Sequence, residues 1–427
     1  MSSCLRKFKQ RYVPSIPSSL EELGAAILNN VSRYGEIREE KAFHGVTKGA
    51  KRSLIFEIPQ LIELLKNSSE WHMDGTIKTV PNSPPSRQLF TIMATVGNKV
   101  YPTVIALMEG KDRISYEELF QELIEAYGLR PAKVITDFES SLRSALRNKL
   151  PDAVLKGCWF HYAQAIIRKV RSSGYSPLLG ENCEFKNGIQ VIIALPLLPV
   201  DDIRAGLQYA NTYLMENGLE EPARKLIPYI QREWIEKVTP SVMSVFGETN
   251  RTNNGQESYH AGLLRYFKKP HPGVWEFIDG IIHIAKVAVL ESERQVEGHQ
   301  VSFKQRNKWA SLDEKIIRGG QHYTAKKITM EQYLKKCAHF FSSGLPDVEE
   351  SIRETEGAEE EEQDIQENVQ DTAGGTLACV ICLENPRTHI ATPCGHLSFC
   401  ETCILHLYNN LCPVCRVICT FIRVYQA

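Results

Sequence analysis

The chain has 427 residues, 43% of them hydrophobic and 24% charged, which is the composition of a soluble globular protein with two or three domains. The formal net charge of −1 hides an asymmetry, because residues 1–346 carry a basic surplus while residues 347–371 hold twelve acidic side chains and one basic one. No apolar run reaches the roughly 18 residues of a membrane helix and none follows the basic N-terminus, so we expect an intracellular protein, nuclear or cytoplasmic, without a membrane partner.

Residues 1–68 are predicted to form a helical lead-in. Ser18 and Ser19 precede Glu21 and Glu22 at the spacing of a capping box, directly after a proline. This spacing predicts the start of a helix.

Residues 69–170 alternate between strand and helix patterns. Three β-rich runs (WHMDGTIKTV, RQLFTIMATVG and KVYPTVIALMEG) predict antiparallel strands, and the amphipathic SYEELFQELIEAYGL predicts a helix. A strand, a helix, a fifth strand and a further helix follow. This order predicts an α/β RNase H-like core. Residues 171–240 are predicted to be a helical insertion, and residues 241–345 a helical extension with a polar segment.

Three acidic residues stand at the ends of predicted elements: Asp74 in HMDGT, Asp137 in ITDFE and Glu257 in RTNNGQES. Two-metal phosphoryl transfer uses carboxylates to hold two hard cations about 3.5–4 Å apart. The first and fourth strands of an RNase H-like core are neighbours, so Asp74 and Asp137 are predicted to lie close together. The alternative is that an Asp before Gly only forms a turn.

The series HMDGT, VITDFE, GCWFH and RTNNGQES resembles the transposase domain of Mutator-like (MULE) elements, over residues 69–270. The resemblance implies a DNA-cutting Asp-Asp-Glu site with Mg²⁺ or Mn²⁺ at Asp74, Asp137 and Glu257. The family's Cys-x2-His motif matches Cys158 and His161, for which core packing is the alternative. Active relatives carry an N-terminal zinc-dependent DNA-binding domain that residues 1–68 do not match. We therefore expect a transposase fold captured by a host gene, or a decayed copy.

Basic side chains on the predicted helices of this region offer a surface for DNA, with a solvated helix face as the alternative. They are Arg143, Arg147, Lys149, Arg168, Lys169 and Arg171.

Residues 346–376 are strongly acidic, poor in apolar side chains and contain Gly-Gly. Such a segment buries too little surface to offset its ordering entropy, so we predict a disordered linker.

Within residues 377–427, seven of the cysteines and one histidine, all between residues 379 and 415, have the spacing C-x2-C-x11-C-x-H-x3-C-x2-C-x8-C-x2-C. Paired Cys-x2-Cys loops each supply two zinc ligands, so eight ligands predict two tetrahedral Zn²⁺ sites in a small domain whose folding depends on the metal. The predicted ligands are Cys379, Cys382, Cys394, His396, Cys400, Cys403, Cys412 and Cys415.

This region resembles RING fingers, in particular the C-terminal RINGs of inhibitor-of-apoptosis proteins. The resemblance implies interleaved ligand pairs and a ubiquitin-conjugating enzyme docked on Ile381 and Pro413. It also implies that Arg416, directly after the last ligand, contacts both that enzyme and ubiquitin. The tail TFIRVYQA, with Tyr425, is similar to the tails through which dimeric members form a homodimer.

The sequence supports three hypotheses. The first is a RING-type ubiquitin ligase whose transposase-derived domain is a DNA- or substrate-binding platform. The second is a metal-dependent transposase or DNA nuclease with a regulatory RING. The third is a scaffold without catalytic activity.

Overall fold

The computed structural model describes residues 14–97, 99–298, 307–341, 388–392, 396–405 and 420–423. The chain divides into two compact units, residues 1–349 and residues 350–427. Among the described residues, no helix is both long enough and apolar enough to cross a membrane.

A mixed sheet lies at the centre of the first unit. The strands of this unit are β1 (Glu36–Ile37), β2 (Glu40–Lys41), β3 (Phe43–Val46), β4 (Ser53–Glu57), β5 (Glu70–Thr76), β6 (Gln88–Val96), β7 (Lys99–Met108), β8 (Lys133–Thr136) and β9 (Val154–Gly157). Seven of them pair in the order β3-β4-β7-β6-β5-β8-β9, while β1 and β2 form a separate ribbon. Neighbours in the sheet are antiparallel, except that β5–β8 and β8–β9 are parallel. The predicted antiparallel meander and the pairing of its first strand with the fourth are therefore confirmed.

Helices connect the parallel strands and form the rest of the first unit. They are α1 (Leu20–Leu28), α2 (Val31–Tyr34), α3 (Pro59–Asn67), α4 (Arg113–Tyr127), α5 (Ser140–Lys149), α6 (Trp159–Ser172), α7 (Ser176–Glu181), α8 (Cys183–Ala194), α9 (Ile203–Glu216), α10 (Glu220–Ile230), α11 (Pro240–Met243), α12 (Asn254–Phe267), α13 (Val274–Val296), α14 (Asn307–Thr324) and α15 (Met330–Phe341). Two 3₁₀ turns, Leu195–Leu197 and Val200–Asp202, and a π-helix, Gln231–Val238, lie among them.

Two hydrophobic clusters cover the two faces of the sheet. Side chains of a strand point alternately to opposite faces. On β7, Val104, Ala106 and Met108 belong to the cluster that contains residues of α4 and α5. Ile105 and Leu107 belong to the cluster that contains residues of α1 and α13. The central strands are therefore buried on both faces, and polar residues on them need specific partners.

The expectation of a helical lead-in over residues 1–68 is wrong for residues 36–57, whereas α1, α2 and α3 are helices. Strands β3 and β4 extend the sheet there, and β4 pairs antiparallel with β7. The β4 sequence SLIFE is buried throughout. Ile55 faces one core cluster, while Leu54 and Phe56 face the other. A short apolar run that is buried on both sides satisfies its backbone as a strand and has no helical period.

The second unit contains a three-stranded antiparallel sheet in the order β11-β10-β12. Its described elements are β10 (His389–Thr392), β11 (His396–Phe399), α16 (Glu401–Leu405) and β12 (Thr420–Arg423). Ala391 and Phe399 are fully buried, and Ile404 and Phe421 pack against them. These four residues are the hydrophobic cluster among the described residues of this unit. The predicted acidic linker, residues 346–376, lies outside the described residues.

Candidate functional site

Asp74 lies on β5, on the sheet face opposite to the cluster that buries Trp71 and Met73. The alternation of the strand puts Asp74 on the same face as His72. Its side chain is largely buried, and Oδ1 accepts a hydrogen bond from the N–H of Gly75 at 2.9 Å. The carboxyl group of Asp74 is therefore buried on a central strand, and a buried carboxyl group needs polar partners.

Asp137 directly follows β8, the strand next to β5. The parallel register of these strands pairs His72 with Ile135, so Asp74 and Asp137 each come two residues after that pair. Asp137 Oδ1 accepts from the N–H of Glu139 at 3.0 Å, which closes a turn before α5. The sheet thus brings the first two predicted acids together.

The third acid, Glu257, is positioned by amide side chains that hold α12 on the sheet. Gln256 Nε2 donates to the carbonyls of His72 at 2.9 Å and Thr91 at 3.1 Å, and Gln256 Oε1 accepts from Thr91 Oγ1 at 2.6 Å. Asn253 Nδ2 donates to the carbonyl of Met73 at 3.2 Å. Both amides are fully buried, so α12 has one defined position on β5 and β6.

Sequence reasoning missed these positioning residues, although Asn253 and Gln256 lie within the quoted motif RTNNGQES. The missed signal was two amide residues that shortly precede the acid in the chain. An amide carries both a donor and an acceptor and can therefore bind strand carbonyls. His72, which was also missed, lies within HMDGT, and its Nδ1 is 2.9 Å from Asn253 Oδ1.

Glu257 lies beside the Cys-x2-His motif. Ligand atoms of Cys158, His161 and Glu257 are all within 4.8 Å of one another, and no other trio of such side chains meets this criterion in the part of the chain that the structure describes. Asp74 and Asp137 therefore do not form an equally tight group with Glu257. The five predicted residues Asp74, Asp137, Cys158, His161 and Glu257 thus lie in one region. Within it, Glu257 groups with Cys158 and His161.

Burial shapes the electrostatics of this region. Burial, reinforced by the Asp137 and Glu257 carboxylates, raises the pKa of Asp74 to about 7. Burial likewise raises the pKa of Glu257. Burial opposes protonation of His161, but its thiol and carboxyl neighbours outweigh burial and raise the pKa of the ring above its usual range. Ionised carboxyls this close to one another repel, and a nearby positive charge would reduce that repulsion.

His260 of α12 contacts Asp74, with Nδ1 3.7 Å from Oδ2. Burial and the neighbouring His161 lower the pKa of His260 to about 4. The ring is therefore neutral near pH 7, and its contact with Asp74 is not an ion pair.

A buried ionic network fixes the start of β5 and the loop before α12. Glu70 accepts from Lys133 Nζ at 2.6 Å and from Asn250 Nδ2 at 2.5 Å, and its Oε1 is 3.1 Å from His72 Nε2. Lys133 also pairs with Glu248 at 2.6 Å. The polar segment that leads to Glu257 is thus tied to two strands by charged contacts.

The helical insertion packs behind two of the predicted site residues. Trp234, on the π-helix, contacts Phe138 edge-to-face at 4.7 Å between ring centroids and Tyr162 at 4.6 Å. Phe138 follows Asp137, and Tyr162 follows His161. π-Helices often occur at functional sites. This one packs against the residues that directly follow Asp137 and His161.

One of the basic residues predicted to offer a DNA surface, Arg143, is buried. Arg143 is 5% exposed and donates to the carbonyl of Lys237 at 3.5 Å, and burial lowers its pKa. It therefore does not line a surface groove, which corrects the sequence-based expectation for this residue. Leu142, Ala145 and Leu146 of α5 are also buried, so Arg143 lies on the packed side of this helix.

The predicted zinc ligands of the second unit are only partly within the described residues. Cys400 is 3% exposed at the end of β11, Cys403 lies one helical turn later on α16, and His396 begins β11. The turn places the two cysteines on one side of the helix, as a shared metal requires. The other residues named for this region lie outside the described residues: Cys379, Ile381, Cys382, Cys394, Cys412, Pro413, Cys415, Arg416 and Tyr425.

Two family models match the chain. The MULE transposase domain matches residues 70–165, which include Asp74 and Asp137 but not Glu257. The model described as "Zinc finger, C3HC4 type (RING finger)" matches residues 376–421, which include all eight predicted ligands.

Among curated proteins, the chain is 22% identical over 182 residues to "Probable E3 ubiquitin-protein ligase MGRN1" of Danio rerio, covering 42% of this chain and 31% of the relative. It is 42% identical over 52 residues to "Probable E3 ubiquitin-protein ligase LUL1" of Arabidopsis thaliana, covering 12% of this chain and 15% of the relative. The chain thus spans less than a third of the length of these relatives.

Among solved structures, the chain is similar to one in the Drosophila P element transposase strand transfer complex, with 10% identity and a TM-score of 0.23 over 66% of this chain and 80% of that chain. A TM-score this low carries no argument about function. The chain contains a MULE transposase domain at residues 70–165 and a C3HC4 RING finger, which implies zinc binding, at residues 376–421.

Proposed function

We propose that the chain is a RING-type ubiquitin ligase that recruits a ubiquitin-conjugating enzyme inside the cell, in the nucleus or the cytoplasm. The observation that carries this proposal is the complete series of eight zinc ligands within the RING match at residues 376–421. Similarity to relatives named as ubiquitin ligases supports it.

The ligase performs no covalent chemistry of its own in this proposal. Ile381 and Pro413 contact the conjugating enzyme, and Arg416 holds the enzyme and ubiquitin in the reactive orientation. Orienting two reactants removes the entropy cost of their encounter and accounts for the acceleration. Tyr425 in the tail contributes to a homodimer. These roles are what the resemblance to RING fingers implies for residues at these positions relative to the zinc ligands.

The test is ubiquitin chain formation by the full chain with a panel of conjugating enzymes. Wild-type protein should form chains, Cys379→Ala should form none, and Arg416→Ala should be at least about tenfold slower because it loses the orienting contact. Arg387→Ala is the matched control, since it removes another arginine of the same module. Absence of chains from wild-type protein across the panel would refute the proposal.

We propose that the transposase-like domain is an RNase H-like body that serves as a platform for DNA or for the ubiquitination substrate. Support comes from the strand order β7-β6-β5-β8-β9, with an antiparallel meander followed by two parallel strands. The two-sided core makes this body rigid enough to present a partner.

A second candidate function is metal-dependent DNA cleavage at Asp74, Asp137 and Glu257. Its support is that the charges of Asp137 and Glu257, together with burial, raise the pKa of Asp74, so the three carboxyls lie close enough to interact. Bound Mg²⁺ or Mn²⁺ would supply an activated water and stabilise the leaving oxygen. The three carboxylates would hold the cations.

Cleavage of supercoiled DNA in Mn²⁺ tests this candidate. Cleavage should be lost in Asp74→Asn and Asp137→Asn and retained in Asp152→Asn, which changes an exposed aspartate of a distant turn. Cleavage that persists in Asp137→Asn belongs to a contaminant and counts against the site. Failure of both the ubiquitin and the DNA assays would favour the scaffold hypothesis.

A further inference from the structure

We propose that Cys158, His161 and Glu257 form a zinc site in the first unit, separate from the zinc of the RING. The three side chains come from two segments far apart in sequence. Cys158 is the N-cap residue of α6 and His161 lies in its first turn, whereas Glu257 lies in the first turn of α12. The site would therefore join the end of the sheet to the helix that carries the third acid.

The geometry is close to that of a bound metal. The three ligand atoms lie within 4.8 Å of one another. Two ligands of a tetrahedral zinc are about 3.3–3.8 Å apart, given zinc–ligand distances of about 2.0–2.3 Å. The limit of 4.8 Å exceeds this spacing by about 1.0–1.5 Å, so the side chains would draw together when the metal binds. Thiolate, imidazole and carboxylate are the three ligand types that proteins use for zinc.

Two buried polar atoms of the trio, one on His161 and one on Glu257, lack hydrogen-bond partners. His161 Nδ1 and Glu257 Oε1 are buried, and the described residues provide neither of them with a hydrogen-bond partner. Cys158 does not use its side chain to cap α6. Buried polar atoms are almost always satisfied in proteins, so this shared deficit indicates a ligand between them.

The surroundings of the cysteine are those of a metal-bound thiolate. The N–H of Asn253 donates to Cys158 Sγ at 3.2 Å. Asn253 is itself fixed by its hydrogen bond to the carbonyl of Met73. An N–H donated to a sulfur stabilises its negative charge, and such outer contacts orient the ligands of metal sites. A cysteine that only fills the core would not need this contact.

The ligand types favour zinc over the hard cations of a nuclease. Mg²⁺ and Mn²⁺ prefer oxygen ligands, while a thiolate together with an imidazole selects zinc. Three protein ligands leave a fourth position for water or for another protein group. Zinc bound here would hold Glu257 away from a site shared with Asp74 and Asp137, and would fix α12 against α6.

Zinc content of the purified full chain tests the site. The protein is equilibrated with a small excess of Zn²⁺ in the presence of millimolar Mg²⁺, freed of loose metal and analysed by mass spectrometry. Cys158→Ala and Glu257→Gln should each hold about one equivalent of zinc less than wild type. Cys337→Ala is the matched control, because it removes another buried cysteine, and it should keep the wild-type content.

A second readout isolates the first unit from the RING. All five tryptophans lie within residues 1–349, so tryptophan fluorescence follows the unfolding of that unit alone. Zn²⁺ should raise its denaturation midpoint in wild type and not in Glu257→Gln, because a ligand that binds only the folded state stabilises it. Glu257→Gln is isosteric and decides the matter if Cys158→Ala does not fold.

Equal zinc content in wild type and Glu257→Gln, or an equal zinc-induced shift of the midpoint in both, would overturn the proposal. Neither measurement depends on ubiquitin transfer or DNA cleavage. The RING is the same in all variants, so a failed ligase proposal would leave the zinc difference readable.

Discussion

Glu70 should stabilise the first unit by remaining ionised, and the structure gives the size of the effect. Burial alone would raise its pKa, but hydrogen bonds from His72, Lys133 and Asn250 outweigh burial and lower the pKa from 4.5 to about 2. A difference of this size corresponds to about 3 kcal/mol of stability at neutral pH. Lys133 keeps its contact with Glu248 when Glu70 is neutralised, so little further cost arises from an unpaired lysine.

The sign of the pH dependence follows from the direction of the shift. Because the folded-state pKa of Glu70 is lower than the unfolded one, its contribution is complete above pH 4.5 and is lost as the pH falls towards 2. Glu70→Gln should therefore lower the free energy of unfolding by about 3 kcal/mol at pH 7. The gap between variant and wild type should narrow steadily below about pH 4.5.

Urea denaturation followed by tryptophan fluorescence measures this difference in the first unit, at several pH values. Glu63→Gln is the matched control, since Glu63 is 70% exposed and pairs with Lys66 one helical turn away at 2.7 Å. An exposed pair of this kind contributes less than about 1 kcal/mol. If Glu70→Gln behaves like Glu63→Gln, or if its effect is the same at pH 7 and pH 3, the reasoning about the buried network is wrong.

Three further predictions concern the two units. Gln256→Ala should lower the stability of the first unit by about 2–3 kcal/mol in the same denaturation assay, because three buried hydrogen bonds to strands β5 and β6 are lost. Phe399→Ala should abolish ubiquitin chain formation, because truncating a fully buried Phe costs about 3–5 kcal/mol and a domain of this length has little stability to lose. Tryptophan fluorescence then checks that the first unit stays folded. Chelation should abolish chain formation, and Zn²⁺ but not Mg²⁺ should restore it, since thiolates bind zinc.

The central strands are predictable from sequence because each is a long run of apolar and β-branched residues bounded by turn residues. Strand β4 is not, because a five-residue apolar run is compatible with a helix until its partner strand is known. Its burial depends on β7, which lies about fifty residues later in the chain. Local pattern therefore predicts β5 to β9 but not β3 and β4, which join the sheet beside β7.

The acidic residues of the site are predictable for a topological reason. Asp74 lies on β5 and Asp137 directly follows the parallel strand β8, at matching positions of the register, so the strand order alone brings them together. The contacts of Asn253 and Gln256 are not predictable in this way, because they depend on how α12 docks on the sheet some 180 residues from its partners. Glu257 lies close to the Cys-x2-His motif because of the same docking. The motif itself, Cys158 and His161, gives no indication that Glu257 is the third residue of the group.

Glu257 is the point at which the proposed functions separate. A nuclease needs this carboxylate beside Asp74 and Asp137 with a hard cation, whereas the described geometry places it within 4.8 Å of Cys158 and His161. One carboxylate cannot serve both centres fully. Zinc held by the thiolate would leave the two aspartates without their third partner and would favour a body that binds rather than cuts. The zinc content of Glu257→Gln therefore also tests the function of the first unit. A loss of zinc in this variant would favour a binding platform for the RING over a second enzyme in the same chain.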